Sequence, residues 1–399
     1  MDRRGFLKFA ALASATAAAS SAVDAEAGTW IPAGTGVFQN TMRRPANYDR
    51  TKFGFSAGYN HTSAIRSDGL VFACGYYQGI GAGNAINQST FVQSVGIVDA
   101  VSVASGTDFT MALRADGAVF GAGSNGYGQL GINSLTNTSS FTQSIGLSNI
   151  VSVSVGCHQY YAFAADANGN LFSTGYNLVG NLGNGNTSYR AAFGTVIGVS
   201  SVIAVACGGN HTLALTADGL LFAAGDNQYG QFGNGTATTT AQTTFSQSPG
   251  ISNITAIAAG GFHSLALLAD GTVFACGYTS RYYSFGTPAS YSSFVQCAGL
   301  SNIVSIACGY YSSLALRDDG AIFGAGLNQF GQLASPTGTL TTFQMIVPPG
   351  QGVTSVNGDF HTAISNPHGN LLTVGQGVNG ELGNGGLVNT SSFVMSIGV

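Results

Sequence analysis

Four of the six histidines, His61, His211, His263 and His361, each close a Gly-x-x-His stretch. Imidazoles repeated in one local setting could hold a metal ion. Six cysteines, at 74, 157, 207, 276, 297 and 308, could pair or ligate. Gly54-Phe-Ser-Ala-Gly58 spells a nucleophile elbow, which needs a strand running into a helix. Gly121-Ala-Gly-Ser-Asn-Gly126 and Gly375-Gln-Gly-Val-Asn-Gly380 spell a dinucleotide fingerprint, which needs a helix N-terminus behind the glycines. Asp166-Ala-Asn-Gly-Asn170 has the opening oxygens of a calcium loop without the distal Glu. Whether any of these can act depends on the elements beneath it.

Those elements repeat. Gly69, Gly117, Gly169, Gly219, Gly271, Gly320 and Gly369 recur at intervals of 48 to 52 residues, and a second Gly follows each by six. Another Gly precedes each by 11 residues, except in the third copy, where the interval is 13. Each copy reads as four short strands: an alternating strand, a Leu-Ala-Leu-like strand, a tight Asp-Gly turn, a strand carrying Phe72 or its counterpart, and a fourth strand starting near Phe91 or its counterpart. Fixed small and fixed large positions suit sheets that pack face to face around an axis. Seven repeats of four strands predict an all-β, seven-bladed β-propeller of four-stranded blades. A linear solenoid would expose two apolar ends, and neither terminal repeat looks capped.

In that frame the motifs lose their chemistry. The elbow spelling falls on a first strand with no helix after it, and both glycine fingerprints end third strands. The four histidines share one repeat position, held by Phe109, Gln159 and Ser312 in the other copies. Equivalent positions in different blades stand apart, so a structural role is expected and no metal or cofactor is assigned. Asp68, Asp116, Asp218, Asp270 and Asp319 belong to the hairpin turns. Cys74 and Cys276 take an Ala position, as do Cys207 and Cys308, which indicates small buried packing. Cys276 and Cys297 are the best candidate pair if the chain reaches an oxidising compartment.

The pattern Gly-x-x-His-Thr-x-Ala-Leu-x-x-Asp-Gly-x-Val-Phe-x-x-Gly-x-Asn-x-x-Gly-Gln-Leu-Gly resembles the regulator of chromosome condensation family of propellers. Asn125-Gly-Tyr-Gly-Gln-Leu-Gly131, Asn227-Gln-Tyr-Gly-Gln-Phe-Gly233 and Asn328-Gln-Phe-Gly-Gln-Leu333 match best, and the resemblance covers about residues 53–399. It implies the same fold and a His at the repeated position. Family repeats often place Trp before the Gly that closes strand three; here Ala or Cys stands there in five copies, and the only Trp is Trp30. An interface built on those Trp residues is not implied. The name-giving member exchanges nucleotide on a small GTPase, and a related branch includes secreted propellers that inhibit beta-lactamases.

Glycine numbers 59 of 399 residues, charged residues make up 7%, and the net charge is −4 with only Lys8 and Lys52 as lysines. So few cations cannot build the basic face a nucleic-acid binder needs. Hydrophobic residues at 45% exclude disorder. Residues 1–27 resemble a twin-arginine signal peptide: Arg3-Arg4, an apolar Ala-rich stretch to Val23, and Ala25-Glu-Ala27. This predicts export to a periplasmic or extracellular place, with no membrane span in the mature chain. Residues 28–52 form an N-terminal segment expected to supply a closing strand or plug, and 53–399 the propeller, in repeats starting near 53, 100, 150, 201, 254, 303 and 352.

Topology places the loops between strands one and two, and those after strand three, at one end of every blade. That end collects Tyr59, Tyr76, Tyr77, Tyr176, Phe262, Tyr278, Tyr310, Tyr311 and Phe360. Aromatic side chains in a nearly uncharged surface suit contact with protein or sugar. The expectation is a non-catalytic exported propeller that binds a protein partner through this face, with carbohydrate or cell-wall binding and enzyme inhibition as the alternatives. Nucleotide exchange suits neither export nor so few lysines.

Overall fold

The computed structural model describes residues 54–156, 158–278, 290–336, 338–351, 354–357 and 359–399. The signal-like residues 1–27, the segment 28–52 with Trp30, and Cys157 lie outside the described residues. Among the described residues, twenty-eight strands form seven antiparallel sheets of four consecutive strands each, spanning 54–93, 100–143, 150–195, 202–247, 254–296, 303–347 and 354–395. Every sheet is complete within its own repeat, from the first blade, with strands Gly54–Ala57, His61–Ile65, Val71–Gly75 and Gln88–Gln93, to the seventh. The chain is all-β, a seven-bladed propeller. Among the described residues no helix is long and apolar enough to cross a membrane.

The core is distributed. Seven hydrophobic clusters form, one between each pair of neighbouring blades; the cluster of Phe55, Ala57, Ala64, Phe72 and Phe91 with Ala363 and Leu371 joins the seventh blade to the first. Two sequence signals meet in each of several such seams. The Gly that ends the Gly-Gln-Leu-Gly motif lies under the fourth-strand Phe of the next blade. A Cβ at Gly131 would stand 2.4 Å from the Phe193 ring, and one at Gly383 would stand 2.5 Å from Phe91. No side chain fits there. The last seam is therefore built like the internal ones, with the Phe91 amide donating to the Ile397 carbonyl at 3.0 Å and Thr90 bridging to Asn384. The ring closes by ordinary blade contacts.

The hairpin turns differ from the expected two-residue type. Ile65 pairs with Val71, the Arg66 amide donates to the Leu70 carbonyl at 2.9 Å, and the Gly69 amide donates to the Arg66 carbonyl at 2.9 Å. Only the Gly has positive φ, +78° at Gly69, so the loop has three residues with one left-handed position. The Asp side chain braces the turn locally. Asp68, Asp116, Asp270 and Asp319 each accept the amide two residues on, at 2.9 to 3.2 Å. Asp166 accepts the amides of Asn168 and Asn170, both at 2.9 Å, so the calcium-like spelling is a turn.

In blade one a short helix, α1 (Tyr77–Ile80), stands where blades two, four and six carry the Asn-x-x-Gly-Gln loop. In those loops the Asn organises the backbone. Asn125 donates to the carbonyls of Ser134 and Thr136 and accepts the Leu130 amide, and Asn227 and Asn328 do the same in their own loops.

Candidate functional site

The repeated histidines lie in the seams. His61, His211, His263 and His361 are fully buried, and each Nε2 meets a hydroxyl on the second strand of the following blade: Thr110 at 2.8 Å, Ser264 at 2.9 Å, Ser313 at 3.0 Å and Thr62 at 2.8 Å. Three of these hydroxyls give their own proton to a backbone carbonyl, Thr62 to Glu381, Thr110 to Gly79 and Ser264 to Gln231. A carbonyl only accepts, so each of those hydroxyls accepts from the imidazole, and the proton of His61, His211 and His361 is on Nε2. Burial pushes His61, His211 and His263 down to about 3 and His361 to about 4, so all four are neutral. The Gly of Gly-x-x-His provides the room: a Cβ at Gly208 would lie 2.5 Å from the His211 ring.

The sequence assignment of this position in the third repeat needs correction. Strand register pairs Tyr161, not Gln159, with Gly175, as His61 pairs with Gly75. The two extra residues lie in the loop before it. The Tyr161 hydroxyl takes over the seam, donating to the carbonyls of Gly208 at 2.8 Å and His211 at 2.9 Å.

The cysteine pairing is also corrected. Cys276 and Cys297 are both free and buried, as are Cys74, Cys207 and Cys308. Cys276 lies on the third strand of blade five under a seam, with its thiol donating to the Gln231 carbonyl at 3.4 Å. Burial pushes the Cys207 and Cys297 thiols up to about 12, which keeps them protonated and unreactive.

At the loop end, the short connections between strands one and two are laced together around the axis. The amide of Tyr59 donates to the Gly106 carbonyl at 3.1 Å, that of Gly209 to Gly260 at 3.0 Å, and that of Gly261 to Tyr310 at 2.9 Å. Of the nine aromatic residues singled out above, six are joined by ring contacts. Tyr59 meets Phe360 at 5.2 Å, Phe360 meets Tyr311 at 6.5 Å, Tyr311 meets Tyr310 at 4.4 Å, and Tyr310 meets Phe262 at 5.5 Å. Tyr229 then links Phe262 to Tyr278. The other three lie apart from this chain of rings: Tyr176 packs on Tyr127 with Tyr160 and Tyr189, and Tyr76 and Tyr77 pair with each other at 4.8 Å. All nine are half-buried.

Sequence reasoning missed the centre of this arrangement. His158, in the lengthened loop of blade three, reaches across the axis. Its ring lies 4.6 Å from Tyr59 of blade one and 4.5 Å from Tyr310 of blade six, and its Nδ1 lies 3.3 Å from an Asp359 carboxylate oxygen of blade seven. The Asp359 side chain is 3% exposed. Asp108 stands close by, accepting from Tyr160 at 3.3 Å and Asn60 at 3.4 Å. Burial raises the Asp108 carboxyl, and burial together with Asp108 pushes the Tyr160 phenol up to about 12. Burial first, then Asp359 and Asp108, raise Tyr59. The 13-residue interval in the third repeat was the available signal for this loop.

The described cations lie elsewhere. Arg66, Arg114 and Arg317 pair with the turn residues Asp68, Asp116 and Asp319 at the opposite end, and each lies over a third-strand Phe of its own blade. Arg190 bonds the Thr195 carbonyl on the outermost strand of blade three.

Comparison with known proteins agrees with this architecture. Two models described as the regulator of chromosome condensation (RCC1) repeat match, one at 100–129, 202–231, 254–282 and 303–332, the other at 116–163, 168–215 and 218–267. Together they span more than half of the chain. Among solved structures, human WBSCR16 is similar at 22% identity and a TM-score of 0.70, over 79% of this chain and 87% of that one. Prp20p from Saccharomyces cerevisiae is similar at 19% identity and a TM-score of 0.71, over 88% and 87%. In the matched repeats, the Gly that makes room for a seam ring, the Asp-Gly turn and the Asn-x-x-Gly-Gln loop carry the packing described above, and on that match the chain belongs to the regulator of chromosome condensation repeat family.

Proposed function

We propose that this chain is an exported, non-catalytic propeller that binds another protein through the aromatic loop end. The observation that carries the reading is the run of half-buried rings from Tyr59 through Phe360, Tyr311, Tyr310, Phe262 and Tyr229 to Tyr278, supplied by blades one, four, five, six and seven. Such rings offer large contact area with few rotatable bonds. The opposite end offers charged turns already paired within the chain. Solved relatives of the fold bind proteins: the yeast propeller Prp20 has been solved bound to Kap60, and Prp20p has been studied for binding to Gsp1p and histones.

A binding role also agrees with the side chains. The seam histidines are neutral, buried and committed to hydroxyls, and the buried thiols are protonated, so neither group supplies a base or a nucleophile. Export rests on the twin-arginine-like residues 1–27. The test is capture from envelope and secreted fractions with the full chain and with Tyr310→Ala/Tyr311→Ala. The expected result is a partner held by the first and lost by the second. A partner held equally by both overturns the site, and sugar binding on a glycan array that the double variant abolishes replaces the protein reading with the carbohydrate one.

A further inference from the structure

Five of the seams are latched at the outer rim by the same backbone bond. The residue two places after the seam Gly donates its amide to the carbonyl two places before the fourth-strand Phe of the next blade: Gly83 to Ser139, Asn133 to Ala191, Gly185 to Thr243, Gly235 to Ser292 and Gly385 to Ser89, at 2.7 to 2.8 Å. In three of these seams the Phe amide is bonded as well, Phe91 to Ile397, Phe141 to Val95 and Phe245 to Ile197. The fourth strand is the outermost of each sheet, so the latch covers part of an otherwise bare edge.

Between blades six and seven the sequence forbids that latch. Ala334 holds the place of the seam Gly, at φ +48° where five glycines adopt +62° to +66°. Two places on stands Pro336, which has no N–H to donate. Among the described residues, no hydrogen bond joins 334–336 to the fourth strand of blade seven, Thr390–Met395. The Ser391 carbonyl and the Phe393 amide, which hold the places of Ser89 and Phe91, are left without a latch. Large apolar side chains stand in water at both ends of this strand: Leu387 is 57% exposed, Val388 65%, Met395 58% and Ile397 53%. Residues 382–399 contain no charged residue and no Pro, two common guards of a bare edge.

We propose that this edge is a dimerisation surface and that its occupant is the same strand of a second copy of the chain. The free groups complement themselves. Antiparallel pairing about a two-fold axis at Ser392 sets Ser391 of each copy opposite Phe393 of the other, so each free carbonyl receives the free amide of the opposite strand. The same register carries the Leu387 and Val388 end of one copy to the Met395 and Ile397 end of the other, apolar against apolar. With no charge in the segment, two identical strands meet without like-charge repulsion. The surface lies on the outer rim and stands apart from the aromatic loop end, so it adds to the binding reading without resting on it.

The test is analytical ultracentrifugation of the full chain over a dilution series. The unchanged chain is expected to sediment as a dimer that dissociates on dilution. Ala334→Gly/Pro336→Asn rebuilds the arrangement of Gly131 and Asn133 and is expected to give a monomer whose thermal transition is no lower than that of the unchanged chain. This variant closes the edge by strengthening the fold, so loss of the dimer cannot be misfolding. Met395→Lys, at an exposed position, places a guard charge on the edge and is expected to raise the dimer dissociation constant about tenfold or more. A monomeric unchanged chain overturns the proposal; hydrogen exchange then gives the edge to another part of the same chain if the Phe393 amide is protected, and to no occupant if it exchanges freely. A dimer that persists in the latched variant, or one indifferent to Met395→Lys, overturns it as well.

Discussion

The seams and the axial end both place histidine beside a hydrogen-bonding partner, and they use it in opposite ways. In the seams, His61, His211 and His361 each give the Nε2 proton to a hydroxyl whose own proton is already committed, in a site with no exposure. Protonation there would place a charge in a site closed to water, and burial outweighs even the nearby Asp359 carboxylate at His361. At the axial end, His158 is partly exposed and meets the buried Asp359 carboxylate at 3.3 Å. The same side chain is a buried spacer between two blades in one region and a partly exposed contact between four blades in the other. The difference comes from the blades themselves: a seam repeats one packing solution around the ring, whereas the axis is where residues from unrelated positions in the repeat meet once.

Acid breaks the first half of that comparison with the largest effect. The seam histidines have folded values near 3 to 4 against 6.5 for an unburied imidazole. Below 6.5 the unfolded chain therefore binds protons that the folded chain refuses. Stability is full above pH 6.5 and falls as the pH drops toward 4, by about 1.4 kcal/mol per pH unit for each histidine. Four together give about 5.5 kcal/mol per pH unit, enough to unfold a domain of ordinary stability near pH 5. Urea midpoints measured from pH 8 to 4 check this, and a midpoint flat across that range would contradict it.

A single seam position tests the same idea without pH. His211→Ala empties a fully buried ring site against Gly208 and removes the donor to Ser264; the expected cost at pH 8 is about 3 kcal/mol by urea unfolding. His211→Phe keeps the volume, as Phe109 does at the same position in blade two, and is expected to cost about 1 kcal/mol. It also removes one titrating group, so the acid slope should fall by about a quarter. A Phe variant as damaging as Ala would show that the hydrogen bond, not the ring, holds the seam.

These seams were legible because they repeat. Seven in-phase copies of the Gly before the turn, the turn Gly and the fourth-strand Phe, with Asp before the turn Gly in five of them, leave little freedom in blade number, strand order or register. The axial site was legible only in part. Tyr59, Tyr310, Tyr311, Phe262 and Phe360 follow from loop topology, which any four-stranded blade imposes. His158 and Asp359 do not, because each occurs once and no periodicity can flag it. The lengthened third repeat showed that something had been inserted, but counting three residues on from Gly156 lands on Gln159, two residues short of Tyr161. Side chains that meet across the axis are related by no sequence interval.

A smaller effect is expected where a seam departs from its own pattern. Gln129, Gln231 and Gln332 accept a loop amide through Oε1, at 3.0 Å in each case, and Glu381 does so in blade seven at 2.7 Å. Its carboxyl is buried, and burial raises it above the ordinary carboxylate range. The folded chain therefore holds this proton to higher pH than the unfolded chain, and the associated stability is present in acid and lost as the pH rises through the folded value. Glu381→Gln restores the amide of the other blades. It is expected to gain about 1 kcal/mol at pH 8 and less at pH 5, read from urea midpoints. A loss at pH 8 would mean that the charge at this seam is answered by its neighbours.

The smallest effect on folding should come from the rings that matter most for binding. Tyr311 is half-buried and touches Tyr310 at 4.4 Å and Phe360 at 6.5 Å. Such contacts contribute about 0.5 to 1.5 kcal/mol beyond burial in favourable geometry, and part of that returns when the exposed ring no longer has to be ordered. Tyr311→Ala should therefore cost about 1 kcal/mol or less, against about 3 for His211→Ala. If removing Tyr311 destabilises the chain as much as removing His211, the axial rings are a second core and the contrast between the two regions collapses. If it does not, these rings are held half in water at little benefit to the fold, which is the condition a contact surface has to meet.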